Sequence, residues 1–288
     1  MYEQISSNKR RTVLLLLSFI AILWGLAYVV SRATGRPGLL FVIGLFSLSY
    51  SIFTYFAGAK LALALHGAKE IQKKDDPRLW RTVENLSIAE GLPMPKVYIM
   101  DDPAPNAFAT GRNHQAAAVC ATTGLLSIMS DTELEGVMAH ELGHVQNYDM
   151  RVNTIAFALV GVISMIGDFF WHISFFGSDN RENNTLFNAL AIVAIILAPI
   201  AATMIQLAIS RRREYLADAT GALTTRYPEG LASALEKIEA TGSALRKPKT
   251  ATAHMFFANP LSGKAAMNLF STHPPVEARI KALREMKL

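Results

Sequence analysis

Three stretches of this chain carry no charged side chain, and nothing else in the sequence restricts its fold so severely. They run between Arg11 and Arg32, between Arg36 and Lys60, and between Glu182 and Arg211. Each exceeds the roughly 18 consecutive apolar residues that mark a membrane-spanning helix. In water they would require three helices apolar on every face, all buried within a chain of 288 residues. Bulk composition masks the feature. A chain 51% hydrophobic and 18% charged departs only modestly from an ordinary soluble one, because the excess is concentrated in those runs.

The runs also set the organisation. A first span is expected at about Val13 to Val30 and a second at about Leu39 to Leu65, joined by the short loop from Ser31 to Pro37. Lys60 falls near the inner end of the second span, where a long basic side chain can reach the interface. A third apolar region, about Ile155 to Phe176, is interrupted by Asp168 and His172. It can be a span with a polar inner face, a re-entrant piece or a helix buried against protein. The fourth, Leu186 to Ser210, is long enough to span, which makes about four transmembrane helices. A basic region precedes the first run, as in a signal peptide, but no convincing A-x-A cleavage site accompanies it and a second span follows closely, so the run reads as retained.

The net charge of +5 does not point to nucleic acid. Its excess sits at Lys9, Arg10, Arg11, Lys69, Lys73, Lys74 and Arg211 to Arg213, beside the apolar runs, as positive-inside flanking predicts. The loops assigned to the outside carry only Arg32, Arg36 and Arg181. Both termini and both soluble segments are therefore expected on the cytoplasmic side of a multi-pass cell-membrane protein. The single cysteine, Cys120, excludes an intrachain disulfide and fits a reducing compartment. The expected domains are an N-terminal transmembrane hairpin over 1–66, a cytoplasmic domain built from 67–154 and 211–288, and a hydrophobic hairpin, 155–210, inserted into it.

Within the soluble parts, Asp76 as N-cap, Pro77 at the first helical position and Gly91 past the end predict a helix, with Leu79, Val83 and Leu86 as its apolar stripe. Lys96 to Met100 and Ala116 to Ala121 read as strands. Between them, Pro103 and Pro105 lead into Asn106 to Gly111, expected as an edge strand. Ser130-Asp131-Thr132-Glu133 is a capping box, so a helix should start there. Pro228 opens another helix and Pro274-Pro275 the last.

The capped helix carries His140-Glu141-Leu142-Gly143-His144. Residues four apart share a helix face, so both imidazoles can reach one metal ion. Zinc accepts such nitrogen ligands and, in a catalytic site, keeps a position for water. Glu141, one residue along, can take a proton from that water without being a ligand. A third ligand is needed, and Glu214, with Asp218 four residues later, suits ligand plus hydrogen-bond acceptor for a ligand histidine. Spacing alone fits equally well with a surface helix in which Glu214 pairs with neighbouring arginines.

Four segments together resemble the HtpX family of membrane zinc metallopeptidases. They are His140 to His144 with Asn147 and Asp149; Arg213-Glu214-Tyr215-Leu216-Ala217-Asp218-Ala219; Pro105 to Gly111; and Thr272-His273-Pro274-Pro275-Val276-Glu277-Ala278-Arg279-Ile280. The likeness extends over essentially the whole chain. It implies an integral membrane, mainly α protein: about four transmembrane helices and a zincin-like α+β metallopeptidase domain with a small sheet. It further implies one Zn²⁺ per chain on His140, His144 and Glu214, with Glu141 as base. The implied role is cleavage of misfolded or damaged membrane proteins, often under stress.

Other candidates are secondary. Asn106, Ala107, Phe108 and Ala109 can form an edge to which a substrate backbone adds, or be an ordinary edge strand. His273 can stabilise an oxyanion or gate the open metal position, or merely enter a helix. Asp168 and His172 can satisfy each other; His66, His114 and His254 read as surface or loop residues and Tyr148 as packing. The expected partners are polypeptide substrates and the lipid bilayer. A CaaX prenyl protease shares the metal motifs but usually has more spans. A site-2-type intramembrane protease would bury the histidine motif in an apolar span, whereas Asp131, Glu133 and Glu135 surround it here. An inactive zinc-binding scaffold would need four protein ligands closing the site.

Overall fold

In a computed structural model of the chain, residues 2–35, 37–160, 211–246, 250–260 and 274–286 are described. The first two apolar runs form long helices, α1 (Tyr2–Thr34) and α2 (Gly38–Leu65). They pack side by side through a narrow seam. From α1, Leu15, Phe19, Leu23 and Ala27 are buried; α2 answers with Ser47, Ser51 and Thr54. A side chain at Gly44 would stand 2.8 Å from the Trp24 ring, so a glycine is needed there for the helices to approach. The Ser47 and Ser51 hydroxyls donate to the carbonyls of Gly44 and Ser47, 2.8 Å each, which keeps these polar atoms satisfied.

The outer faces are the reverse of a soluble surface: Phe41, Val42, Leu45 and Phe56 on α2 are all more than half exposed. Such a face suits a helix in contact with lipid. Among the described residues, one helix, Leu40–Leu65, is long and apolar enough to cross a membrane, with a mean hydropathy of 1.8. At 1.5 Å per residue it reaches about 39 Å, more than a hydrocarbon core. The expected fourth span, Asp168, His172 and most of the third apolar region lie outside the described residues.

The sheet has four strands in the order β1 (Lys69–Glu70), β2 (Lys96–Met100), β4 (Ala118–Thr122), β3 (Ala107–Thr110). The pair β2/β4 is parallel and the other two are antiparallel, so the small sheet is mixed. Strand β4 begins at Ala118 rather than at the expected Ala116. The Asn113 side chain accepts from the Ala116 amide at 2.9 Å and holds His114–Ala116 in a 3-10 turn, a local bond that competes with the ladder. The predicted edge strand is indeed last in the order.

Helix α3 (Pro77–Glu90) has the expected ends: the Asp76 carboxylate accepts from the Leu79 amide, and Gly91 takes the left-handed conformation, φ 66°. A short α4 (Thr123–Ile128) leads to α5 (Asp131–Gln146), which starts with both bonds of the Ser130/Glu133 capping box. After a turn in which Tyr148 takes φ 61°, residues 149–160 are helical and form α6. It leans on α2, where the Tyr50 hydroxyl donates to the Ala158 carbonyl at 3.0 Å. Helices α7 (Arg211–Thr225), α8 (Pro228–Thr241) and α9 (Val276–Arg284) complete the domain.

The core is organised around α5, which is buried almost throughout from Glu133 to Val145. Leu134, Val137, Met138 and Leu142 meet Val83 and Leu86 of α3, Val119 of the sheet and Leu231 and Leu235 of α8 in one apolar cluster. Helix α7 crosses α5 at backbone contact. A side chain at Gly221 would come within 3.0 Å of the His140 amide nitrogen. That close crossing puts Glu214 and Asp218 of α7 over the histidines of α5.

Candidate metal centre

One turn of α5 presents His140, Glu141 and His144, all buried. The two Nε2 atoms are 3.1 Å apart; Glu214 Oε2 lies 3.8 Å from that of His140 and Oε1 3.5 Å from that of His144. Ligand atoms of all three residues fall within 4.8 Å of one another. A tetrahedral shell with bonds near 2.1 Å requires ligand separations of about 3.4 Å. The three atoms therefore frame a site into which one ion fits without rearrangement. Spacing had left Glu214 as either ligand or surface charge; here it is 8% exposed and faces both rings.

Each ring is oriented from behind by a carboxylate. His140 Nδ1 lies 2.9 Å from Asp218 Oδ1, the arrangement expected for a carboxylate that fixes a ligand tautomer. Asp218 is clamped by Arg279 of α9, whose Nε and Nη2 donate to its two oxygens at 2.9 and 2.7 Å. His144 Nδ1 lies 3.3 Å from Asp149 Oδ2. Asp149 accepts from Arg213 Nη1 at 3.2 Å and from the Asn8 side chain at 2.7 Å.

Sequence reasoning missed three of these parts. Asp149 stood in a quoted motif without a role, and the signal was a carboxylate just beyond the helix that carries both histidines. Arg279 likewise stood unremarked in a motif, although an arginine on the buried face of a short helix needs a carboxylate. Nothing in the sequence joined Asn8 to a residue 141 positions away.

The electrostatics favour a cation. Burial and the Glu214 charge push the Glu141 carboxyl up to about 7, against the pull of His144, Arg279 and a hydrogen bond from the Ala109 amide. Burial drives His140 down to about 4, overriding Asp218. Burial also works against a charged His144, but Asp149, Glu214 and Glu141 outweigh it and hold that ring up at about 9. Burial would raise Asp218, yet Arg279 and His140 bring it down to about 2. The carboxylates thus draw positive charge to the point the ligand atoms surround.

Strand β3 runs beside this site, and its outer edge is covered. The Phe257 amide donates to the Ala107 carbonyl at 2.8 Å, with an antiparallel bridge between Phe108 and Phe256. The Asn106 amide group donates to the Ala258 carbonyl at 2.9 Å and accepts from its N–H at 3.0 Å. The Phe257 ring meets that of His140 edge-on at 4.9 Å. With Leu235, Ile238, Val276 and Arg279 it lines a cavity of about 370 Å³. His273 lies outside the described residues. His254 is not the surface residue expected: it is 5% exposed, with Nε2 at 3.1 Å from the Asn153 carbonyl, because its segment is folded into the domain. Tyr148 does pack, its ring 4.4 Å from His114.

Two imidazoles one helical turn apart, an acid between them and a carboxylate from a crossing helix define a metallopeptidase site. The comparisons agree. Residues 73–287 match the family model "Peptidase family M48". A "Protease HtpX homolog" of Tropheryma whipplei (strain TW08/27) is 51% identical over 287 residues, covering 99% of this chain and 98% of the relative. One from Dictyoglomus turgidum is 44% identical over 290 residues, covering 99% and 94%. The chain belongs to peptidase family M48 and, within it, to the HtpX family, as a membrane-bound metalloprotease. Among solved structures, S. mikatae Ste24p matches with a TM-score of 0.54 over 98% of this chain and 67% of that one; at 18% identity the likeness concerns the fold.

Proposed function

We propose that the chain is a zinc endopeptidase of the membrane surface, with one Zn²⁺ on His140, His144 and Glu214. The observation that carries this reading is the convergence of those three side chains at ligand-to-ligand spacing. Nitrogen and carboxylate donors in a three-ligand set are the donor chemistry of a catalytic zinc site, and the metal would supply Lewis acidity and an activated water. Glu141 takes the proton of the attacking water and passes it to the leaving amine, a role its place between the two ligand histidines on one buried turn allows. Asp218 and Asp149 hold the rings in the tautomer that keeps Nε2 free for the ion.

A substrate backbone adds to β3 along Asn106 to Ala109, with main-chain bonds giving affinity that tolerates many sequences. That path is taken by Phe256 to Ala258, so substrate must exchange with this segment, and the cavity beside Phe257 suits an apolar side chain. We read 67–154 and 211–288 as one cytoplasmic domain interrupted by a hydrophobic hairpin over 155–210, behind the N-terminal hairpin over 1–66. Helices α2 and α6, packed together beside β3, keep the cleft close to the bilayer. Misfolded membrane proteins are accordingly the favoured substrates.

The test is a cleavage assay on a disordered protein with zinc-loaded wild type, the same protein after chelation, and Glu141→Ala. Chelation should abolish cleavage, and the variant should keep its zinc while losing about 10²–10⁴-fold in rate. Equal cleavage by wild type and variant would defeat the assignment.

A further inference from the structure

Away from the metal site, a cavity of about 220 Å³ opens between the lower end of α2 and the peptidase domain. Its lining includes Lys60, Lys96, Arg112 and Arg151, together with Tyr55 and Phe56, and among the described residues no carboxylate contributes to it. Lys96 is neutralised from outside by Glu70, at 2.9 Å from both oxygens. The other three cations have no carboxylate within ion-pair reach among the described residues. Arg112 stacks over the Phe56 ring, 4.7 Å from its centre, and Arg151 lies 5.4 Å from that of Tyr148. The Nε of Arg151 is buried without a hydrogen-bond partner. Three unneutralised cations converging on one cavity repel each other unless an anion sits among them. The buried Arg151 donor without an acceptor points the same way.

The place of the cavity selects the anion. Lys60 is on the only described helix fit to cross a membrane, five residues before its end at Leu65, where a headgroup layer lies. Above it, Ile52, Phe53 and Phe56 expose an apolar path along α2, more than half exposed in each case. A free anion has no use for such a path; acyl chains do.

We propose that this cavity binds the phosphate headgroup of an anionic phospholipid through Lys60, Arg112 and Arg151, with the acyl chains laid along α2. The site is separate from the peptidase chemistry, and its test needs no catalysis. Purified full-length protein in detergent is mixed with phosphatidylglycerol, with phosphatidylcholine or with inorganic phosphate. Retained adducts are read by native mass spectrometry and stabilisation by the thermal midpoint. Phosphatidylglycerol should be retained and should raise the midpoint, with phosphatidylcholine and phosphate doing neither. Each of Lys60→Gln, Arg112→Gln and Arg151→Gln should weaken retention about fivefold, and the triple variant about 100-fold. Lys60 is exposed, so Lys60→Gln should fold as wild type and serves as the decisive single variant. Equal retention of both lipids, a full thermal shift from phosphate alone, or wild-type retention by Lys60→Gln would overturn the proposal.

Discussion

The two imidazoles of this site are four residues apart on one helix, yet they are held by different parts of the molecule. His140 is fully buried and backed by Asp218 and Arg279, both from helices of the peptidase domain. His144 is 8% exposed and backed by Asp149, which in turn is held by Arg213, in the first turn of α7, and by Asn8 of α1. One half of the site is wired to helices α7 and α9, and the other is tied through Asp149 to α6 and the N-terminal helix α1. The protonation preferences divide the same way: burial wins at His140, carboxylates win at His144. The same helical turn thus sets one ring against a carboxylate held within α7 and α9 and the other against a carboxylate that α1 helps to hold.

The comparison breaks most visibly at Arg279. Replacing it with methionine leaves the buried Asp218 charge without its guanidinium and only the His140 ring as partner, which should cost about 3–5 kcal/mol in the urea unfolding of detergent-solubilised, metal-free protein. A change below 1 kcal/mol would mean that the clamp is not structural. Next, Asp218→Asn should weaken zinc about 10–100-fold in a competition titration with a chromophoric chelator. Asp149→Asn should fall at the lower end of that range, since its contact with the ring is longer, 3.3 Å against 2.9 Å. Matching losses would erase the asymmetry.

A subtler probe is pH. His144 is held at about 9 in the folded protein, above its ordinary 6.5. A raised histidine stabilises the fold below its unfolded value, and that stabilisation is lost as pH climbs through the folded one. The thermal midpoint of metal-free protein should therefore fall between pH 6.5 and 9. Asp149→Asn should flatten this decline and Asp218→Asn should leave it in place. The smallest effect is expected from Asn8→Ala, which deletes the side-chain hydrogen bonds to the Asp149 carboxylate and the Asn147 carbonyl. It should speed zinc release with little change in unfolding; an unchanged release rate would cut the proposed link from α1 to the metal.

What was legible in the sequence follows from the range over which each signal acts. Helix ends were readable because Asp76, Gly91 and the Ser130/Glu133 pair act within one turn. The pairing of His140 with His144 needs only helical periodicity. Glu214 required resemblance to a family, because nothing local says that α7 crosses α5 where Gly221 permits it. Asp149 was out of reach of periodicity: the chain turns at Tyr148 in a left-handed conformation and brings the carboxylate back to the helix it has just left.

The most direct examination of the whole account is the zinc content of purified protein for wild type, Glu141→Ala and Glu214→Ala, measured by elemental mass spectrometry after identical dialysis. One zinc per chain in the first two, and a large loss in the third with the fold intact by circular dichroism, is the predicted pattern. Full zinc retention by Glu214→Ala would contradict it, because the carboxylate of α7 would then not be holding the ion.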